Sequence, residues 1–264
     1  MGTGLIGGSL GAALRRAGWY VRGTDANPLA AADAVDLGLT DEAPVDLPSC
    51  FRDADVVVLA VPVARIVDLL PAVDAHAPAR ALIIDTGSVK QPVVAAMEAL
   101  PGADRAVGGH PLAGSHQGGP AAANADLFRG QTVVLCPSTR TSTETQERAA
   151  SLAQTVGSVP HILSAPEHDR SVAVTSHLPQ VLSSLLASLP ADRRLVGPGY
   201  RDMTRLARSD AALWRDILLY NRQEVLAAVH AFRASLDGMT QALAADNGEV
   251  VEQIIARGRA GVTV

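Results

Sequence analysis

Three glycines at the start of the chain have the types and spacing of a dinucleotide-binding turn. Gly2, Gly4 and Gly7 fit the pattern G-x-G-x-x-G. In this pattern the first glycine permits a tight turn, the second lets a pyrophosphate approach the backbone, and the third lets a helix pack closely. Such a turn points to nicotinamide or flavin chemistry. Glycine-rich turns are common, so the neighbouring residues must decide whether this one binds a nucleotide.

An acidic residue follows at the sequence spacing that is typical of a ribose contact. The segment 19–25 has the pattern of a strand that ends in Asp25, eighteen residues after Gly7. A carboxylate at this place can accept hydrogen bonds from an adenosine ribose. The next two residues offer no arginine for a 2′-phosphate, so the sequence favours NAD over NADP. The alternative is that Asp25 is only a turn or N-cap acid before Pro28.

A second polar group, D-T-G-S-V-K at 85–90, follows a strand predicted over 81–85. In open α/β sheets, ligands bind outside the carboxyl ends of the strands. Ser88 is therefore placed to hydrogen-bond a substrate or a histidine. Its alternative role is the N-cap of the helix that contains Val93, because serine is a preferred capping residue. The two roles are compatible.

A glycine-rich loop at 108–119 follows the next predicted strand and carries His110 at its start. A histidine at a strand end can exchange a proton near neutral pH. The alternative is a loop histidine that is hydrogen-bonded only to the backbone. The glycines on both sides and the strand-end position favour the functional interpretation.

A third group of polar and basic residues lies in the second half of the chain, at 176–179 and 201–210. The planar guanidinium of arginine donates two parallel hydrogen bonds to a carboxylate. These arginines are thus candidates for binding an acidic substrate. A solvated, charged helix end is the alternative, and it is plausible for Arg201 and Arg208.

The elements that must position these groups alternate between strands and helices up to residue 165. Apolar runs predict strands at 54–62, 81–85, 106–110 and 132–137, and an edge strand at 161–163. Helical spacing fills the intervals, which predicts an α/β fold with a doubly wound, mostly parallel Rossmann-type sheet over 1–165. The strand that should deliver the glycine turn is absent from this chain, and we expect a Val/Ile-rich strand before Met1.

Strand patterns disappear after residue 165, and helical patterns cover 167–189, 208–245 and 248–258. In the second of these, apolar residues repeat at intervals of four and three: Val225, Val229, Phe232, Leu236, Met239 and Leu243. This stripe is typical of a core-facing helix or of a helical dimer interface. We predict an all-α dimerisation domain over 166–264 and a homodimer formed through the C-terminal helices.

Composition argues against several classes of function. The 264 residues suffice for two modest domains, and the net charge of −5 with 3% aromatic residues argues against nucleic-acid binding. Cys50 and Cys136 are isolated, lack the spacing of metal ligands and suit a reducing cytosol. No apolar run reaches the length of a membrane span, and no basic segment marks a signal peptide. We therefore predict a cytoplasmic protein without a metal.

Taken together, the motifs resemble those of the prephenate dehydrogenase family, which includes prephenate, arogenate and cyclohexadienyl dehydrogenases. The matches are G-T-G-L-I-G-G-S at 2–9, D-T-G-S-V-K at 85–90, G-H-P-L-A-G-S at 109–115, S-H-L-P at 176–179, Y-R-D-M-T-R-L-A at 200–207, S-D at 209–210 and W-R-D at 214–216. They occur in family order over nearly the whole chain, and this ordered set is highly specific. The resemblance implies an NAD-dependent oxidative decarboxylation of prephenate to 4-hydroxyphenylpyruvate in tyrosine biosynthesis.

The resemblance also implies roles for single residues. His110 would be the catalytic histidine that hydrogen-bonds the substrate 4-hydroxyl and accepts its proton, and Ser88 would help to position that histidine and the substrate. Arg205 would bind a substrate carboxylate. Other substrate-site residues would line the pocket or hold the arginine region: Ser115, His177, Asp202 and Trp214. The NAD site would be formed by Gly2, Gly4, Leu5, Ile6, Gly7, Asp25, Val61 and Ser88.

Two positions depart from the family pattern. His116 stands where glutamate is frequent, and Gln180 stands where histidine is frequent. Because both positions bear on substrate choice, arogenate and an amino-substituted prephenate stay open as substrates.

Two further alternatives lie outside this family. A β-hydroxyacid dehydrogenase would usually need a lysine in the helical half, yet no lysine follows Lys90. A non-catalytic NAD-binding protein is the other alternative. The joint presence of His110, Ser88 and Arg205 argues against it.

Overall fold

The computed structural model describes residues 1–114 and 117–262. Five strands form one sheet: β1 (Val56–Leu59), β2 (Leu82–Asp85), β3 (Ala106–Pro111), β4 (Thr132–Pro137) and β5 (Val159–Ile162). They lie side by side in chain order. The β3–β4 pair is antiparallel and the other neighbouring pairs are parallel. This confirms the predicted mostly parallel sheet, with the last predicted strand at an edge.

Helices cover both faces of this sheet. The first half of the chain contributes α1 (Leu5–Arg16), α2 (Pro28–Asp36), α3 (Leu47–Phe51), α4 (Val63–His76), α5 (Gln91–Glu98) and α6 (Thr143–Thr155). On one face Ile83 packs in a core with α4 and α5, and on the other Leu82 and Ile84 pack with α1 and α6. Successive residues of β2 enter opposite cores, so the strand needs an unbroken apolar run. The doubly wound prediction is confirmed.

The second half of the chain is helical, as predicted. Its helices are α7 (Ala165–Val172), α8 (Leu178–Ser188), α9 (Pro198–Met203), α10 (Ala211–Tyr220), α11 (Arg222–Ala244) and α12 (Gly248–Val262). A π-helical turn, Ala173–His177, links α7 directly to α8. Short 3-10 helices occur at Ala103–Arg105, Pro120–Ala122, Arg193–Leu195 and Arg205–Arg208. The helical half is anchored to the sheet because Ile217 and Trp214 of α10 pack into the core that contains α4.

Two sequence predictions need correction. The helix predicted over 208–245 is broken at Asn221, whose buried side chain bonds to other helices instead of pointing to solvent. The strand predicted over 19–25 forms only one bridge, between Arg22 and Glu42. A strand requires a ladder of backbone hydrogen bonds along a neighbour, and this segment has such a contact at a single point.

A cleft of about 570 Å³ separates this extended segment from β1. The first residues of the chain cross one end of the cleft. The Met1 amino group donates to the carbonyl oxygen of Val58 at 2.7 Å. The N–H of Gly2 donates to Thr24 on the opposite side, also at 2.7 Å. The glycine turn is thereby held between the two walls.

Candidate active site

The glycine turn has the shape that a bound pyrophosphate needs. Gly2 has a φ of +84°, and a Cβ there would overlap the carbonyl oxygen of Ala60. A Cβ at Gly7 would overlap the backbone of Gly2, whereas one at Gly4 would meet no atom within 4 Å. Gly4 is also the N-cap of α1, whose first turn contains no acidic residue. The open space thus lies at a helix N-terminus, where an anion is favoured.

Leu5 and Ile6 form the first turn of α1 beside this space. Val61 lies at the turn as well, because a Cβ on Gly2 would come within 2.9 Å of its Cγ1 atom. The segment that follows β1 therefore forms one wall of the predicted nucleotide site.

The half-buried Asp25 takes part in the turn and in the local chain reversal. Its Oδ2 accepts from the Thr3 N–H at 2.9 Å, and its Oδ1 accepts from the Asn27 N–H at 2.9 Å. The cap of α2 is Asn27, which accepts from Leu29 at 3.1 Å. Asp25 is therefore a turn acid and not a helix cap. Since a carboxylate has about four acceptor positions, these bonds leave room for ribose hydroxyls.

A fully buried ion pair holds the ends of β2 and β3 together. Lys90 Nζ donates to the Asp85 carboxylate, and both side chains are inaccessible to solvent. The same amino group donates to the Gly109 carbonyl oxygen at 2.7 Å, and Asp85 Oδ1 accepts from the Gly109 N–H at 3.0 Å. Asp85 Oδ2 also accepts from Gly87 at 2.7 Å. Both polar groups of Gly109 are thus fixed immediately before His110.

His110 is half-buried at the carboxyl end of β3 and contacts a second histidine. Its Nδ1 lies 2.8 Å from Nε2 of His168, which is buried in α7. Nδ1 of His168 in turn lies 2.7 Å from Oδ1 of the buried Asp169. His168 and Asp169 were not among the candidates that the sequence suggested. The adjacent Glu-His-Asp at 167–169 gives no periodic signal, and only the fold brings it to β3.

Asp169 also connects the two halves of the chain. Its carboxylate accepts from the backbone N–H groups of Lys90 at 2.7 Å and Gln91 at 2.8 Å, at the N-terminus of α5. The proposed N-cap role of Ser88 is therefore wrong, because Lys90 occupies the cap position and Asp169 satisfies the helix end. Ser88 is half-buried and makes no hydrogen bond to another described residue. The structure does not join it to His110 directly.

His177 lies in the same buried network, at the end of the π-helical turn. Asn221 Nδ2 donates to His177 Nδ1 at 3.1 Å and to the Asp169 carbonyl oxygen at 2.8 Å. Trp214 stands edge-on to the His177 ring, with 5.9 Å between ring centroids. Burial lowers the pKa of His177 to about 4, against the opposing effect of Asp169. His177 is therefore neutral at physiological pH.

Arg205 opens the 3-10 helix after α9 and is exposed. Within the described part of the chain it forms no ion pair, and the exposed Asp202 does not bind it. The backbone beneath it is held by α8, because Ser183 Oγ accepts from the Ala207 N–H at 3.0 Å. The guanidinium is thus presented on a fixed backbone with its donors available.

Three other sequence candidates have different outcomes. Ser115 and His116 lie outside the described residues. Gln180 is buried and donates from Nε2 to Ser184 at 3.2 Å. Its Oε1 is buried without a hydrogen-bond partner among the described residues.

The electrostatic surroundings of His110 favour its neutral form. Burial lowers its pKa well below the ordinary value of 6.5. Neighbouring side chains lower it further: His168, Lys90 and His177. A neutral imidazole has a free acceptor nitrogen, so this site is suited to accept a proton.

Within residues 1–114 and 117–262, no group of three or more His, Cys, Asp or Glu side chains is placed to hold a metal ion. Across the same residues, no helix combines the length and hydropathy that crossing a membrane demands.

The fold and site together define a class. A glycine turn at a helix N-terminus and a half-buried histidine lie at the carboxyl ends of strands of a doubly wound sheet, and helices of the second half pack against that sheet. This combination is typical of two-domain NAD-dependent dehydrogenases.

Comparison with known proteins narrows the class. The model of the prephenate dehydrogenase nucleotide-binding domain matches residues 10–161, and that of the prephenate dehydrogenase dimerization domain matches residues 164–257. A prephenate dehydrogenase of Bacillus subtilis is 36% identical over 85% of this chain and 64% of its own length. A cyclohexadienyl dehydrogenase of Zymomonas mobilis is 34% identical over 81% of this chain and 76% of its own.

A solved structure agrees with these matches. The prephenate dehydrogenase of A. aeolicus, in complex with hydroxyphenyl propionate and NAD+, superposes with a TM-score of 0.91 at 31% identity. The match covers 98% of this chain and 94% of that one. The chain belongs to the prephenate dehydrogenase family.

Proposed function

We propose that this protein catalyses the NAD-dependent oxidative decarboxylation of prephenate to 4-hydroxyphenylpyruvate, a step of tyrosine biosynthesis. The observation that carries this proposal is a half-buried, neutral histidine, His110, at the sheet edge where the glycine turn also lies. The family membership of the chain supports the same reaction.

Residues around the glycine turn would hold the cofactor: Gly2, Gly4, Leu5, Ile6, Gly7, Asp25, Val61 and Ser88. When bound, NAD+ supplies the acceptor for the hydride that leaves C4 of the substrate. The remaining acceptor capacity of Asp25 suits the two hydroxyls of an unmodified ribose, and a 2′-phosphate there would face a carboxylate. This repulsion supports NAD over NADP.

His110 would move the one proton that the reaction needs. As hydride leaves C4, the 4-hydroxyl gives its proton to His110 and its oxygen forms a carbonyl. The bond to the ring carboxylate then breaks and CO2 leaves. The electron pair of that bond completes the aromatic ring, and the phenolate oxygen takes the proton back. General-base assistance of this kind contributes about 10²–10⁴ in rate.

The substrate site would combine the exposed Arg205 with the residues around His177. Arg205 would bind a substrate carboxylate through its planar guanidinium. Ser88, Ser115 and His177 would line the pocket, and Asp202 and Trp214 would hold the arginine region. The edge-on contact of Trp214 with His177 supports its part in this arrangement.

Arogenate, or an amino-substituted prephenate, is the second candidate substrate, because Gln180 stands where histidine is frequent in the family. Gln180 is buried, and its Oε1 has no hydrogen-bond partner among the described residues.

The decisive experiment is an assay of the purified protein on prephenate and arogenate, each with NAD and with NADP. We expect turnover of prephenate with NAD and a higher KM for NADP. Turnover of arogenate alone would contradict prephenate as the substrate and support arogenate instead. NAD binding without turnover of either acid would contradict both and favour a non-catalytic NAD-binding protein.

The apolar stripe of α11 supports a homodimer through the C-terminal helices. Only its first member, Val225, is buried in the single chain, whereas Leu236 is 53% and Leu243 is 63% exposed. Apolar side chains exposed in a row along a helix are typical of a surface that a partner covers. We place the division between the domains after residue 165. The free cysteines, Cys50 and Cys136, support a cytoplasmic location.

A further inference from the structure

His168 makes two hydrogen bonds whose directions depend on each other. Its Nδ1 lies 2.7 Å from Oδ1 of Asp169. A carboxylate can only accept, so Nδ1 of His168 carries the hydrogen. The other nitrogen of a neutral imidazole is then an acceptor. When His168 is neutral, its Nε2 is therefore an acceptor directed at His110.

This acceptor determines which nitrogen of His110 is protonated. Nδ1 of His110 lies 2.8 Å from Nε2 of His168, so opposite a neutral His168 it is the donor of that bond. With the hydrogen on Nδ1, the Nε2 atom of neutral His110 has a lone pair and no proton. The opposite tautomer would place two lone pairs against each other inside the protein.

The Asp169 carboxylate, which ends this series of hydrogen bonds, accepts hydrogen bonds from several groups. Asp169 accepts from the backbone of Lys90 and Gln91 at the start of α5, in addition to His168. Its own carbonyl oxygen accepts from Asn221. Asp169 therefore has little freedom to rotate away. The fold thus sets the donor-to-acceptor direction of the hydrogen bonds that link His110, His168 and Asp169.

We propose that His168 and Asp169 are positioning residues that hold His110 in the tautomer whose Nε2 accepts the substrate's hydroxyl proton. The inference rests on the proposed function. During the reaction the proton passes from the 4-hydroxyl to Nε2, and the imidazolium that forms continues to donate from Nδ1 to His168. An orienting carboxylate behind a histidine has the same effect in serine proteases, where the wrong tautomer costs about 10⁴ in kcat.

The charged and titratable groups around His110 come from four elements. His168 and Asp169 lie on α7, Lys90 and Asp85 lie at the end of β2 and the start of α5, and His177 ends the π-helical turn. Lys90 is neutralised by Asp85 and does not bond to either histidine. The direct partner of His110 is thus His168.

The test compares His168→Leu, which removes the acceptor, with His168→Gln, which retains an acceptor oxygen at a similar reach. The full-length protein is labelled with 15N-histidine, and His110→Asn identifies the His110 signals. In the wild type and His168→Gln we expect hydrogen on Nδ1 of His110. In His168→Leu we expect a mixture of tautomers, a fall in kcat of about 100-fold or more, and an unchanged Kd for NAD.

His161→Leu is the matched control, because His161 is an exposed histidine on β5. It should change neither the His110 signals nor kcat. The proposal is overturned if wild-type His110 carries its hydrogen on Nε2. It is also overturned if His168→Leu leaves kcat within threefold, or lowers kcat while the tautomer stays unchanged. The spectrum needs no substrate, so it decides the proposal even if neither acid is turned over.

Discussion

At the scale of single residues, the site depends on a histidine that the fold keeps neutral. Burial disfavours the charged form of His110, and His168 and Lys90 add to this effect. His168 also occupies one of the two ring nitrogens of His110. These are opposite demands on one side chain, because a good base must bind a proton and must also begin without one. The lowered pKa meets the second demand, and the hydrogen bond from Nδ1 to His168 serves the first because it stabilises the imidazolium that forms.

The pH dependence of the reaction follows from this environment. His110 accepts a proton only when neutral, and it is neutral above its pKa, which lies well below 6.5 in the folded protein. We expect kcat/KM to stay constant as the pH falls to 6.5 and to decline only at lower pH. His110→Asn should lower kcat/KM by about 10²–10⁴ and abolish this decline. A midpoint at or above pH 6.5 contradicts the assignment.

Arg205 should act on substrate binding more than on turnover. Because it would hold the side-chain carboxylate, which does not change during the reaction, Arg205→Ala should raise KM for prephenate about 10-fold or more, with a smaller effect on kcat. Arg208→Ala is the control, since Arg208 is a neighbouring exposed arginine of the same 3-10 helix. Equal effects of the two variants would refute a specific anchoring role.

At the scale of elements, the connection between β2 and α5 organises the site. Asp85 and Lys90 lie at its two ends and fix Gly109 of the neighbouring strand, while Asp169 of α7 satisfies the end of α5. The segment D-T-G-S-V-K therefore has a structural role in addition to the ligand-binding role proposed for it. Its lysine and aspartate determine where β3 presents His110.

Breaking the buried pair should destabilise the fold more than breaking an exposed one. Lys90→Met leaves Asp85 buried without its counter-ion, so we expect a loss of about 3–5 kcal/mol in the free energy of unfolding. The double variant Lys90→Met/Asp85→Asn should recover part of this loss. The control is Arg65→Met, which removes an exposed pair with Asp68 and should change stability little. Urea unfolding curves give the free energy of unfolding of all three variants. Similar losses for Lys90→Met and Arg65→Met would contradict a large contribution of the buried Lys90–Asp85 pair to stability.

At the scale of the whole molecule, the helical half closes over the sheet edge with one surface and exposes apolar residues on another. Leu236→Glu would place a charge in the proposed dimer interface, so we expect it to shift the protein toward monomer in sedimentation or light-scattering measurements. The matched control is Leu37→Glu, because Leu37 is also 53% exposed but follows α2 of the first domain. If Leu236→Glu has the same particle mass in solution as the wild type, the interface does not lie along α11.

The local elements were predictable because each follows from a pattern within a short window. Apolar runs located β1, β2 and β4, shorter patterns at 106–110 and 161–163 located β3 and β5, and glycine spacing located the N-terminus of α1. The segment 19–25 has the same kind of pattern and yet forms a single bridge. A strand depends on its neighbours as well as on its own residues, so periodicity was insufficient there.

By itself, the sequence determined the nucleotide turn, the alternation of elements, the helical second half and His110 as the candidate base. Only the tertiary structure decided what stands behind His110. His168 lies 58 residues further along the chain, and no local pattern links a histidine in a polar helix to a strand end in another domain. The contact exists because α7 packs against α5 and β4, a long-range arrangement set by burial of both faces of the sheet. The order of motifs along the chain therefore identified the family, whereas the path of the hydrogen bonds depends on the fold.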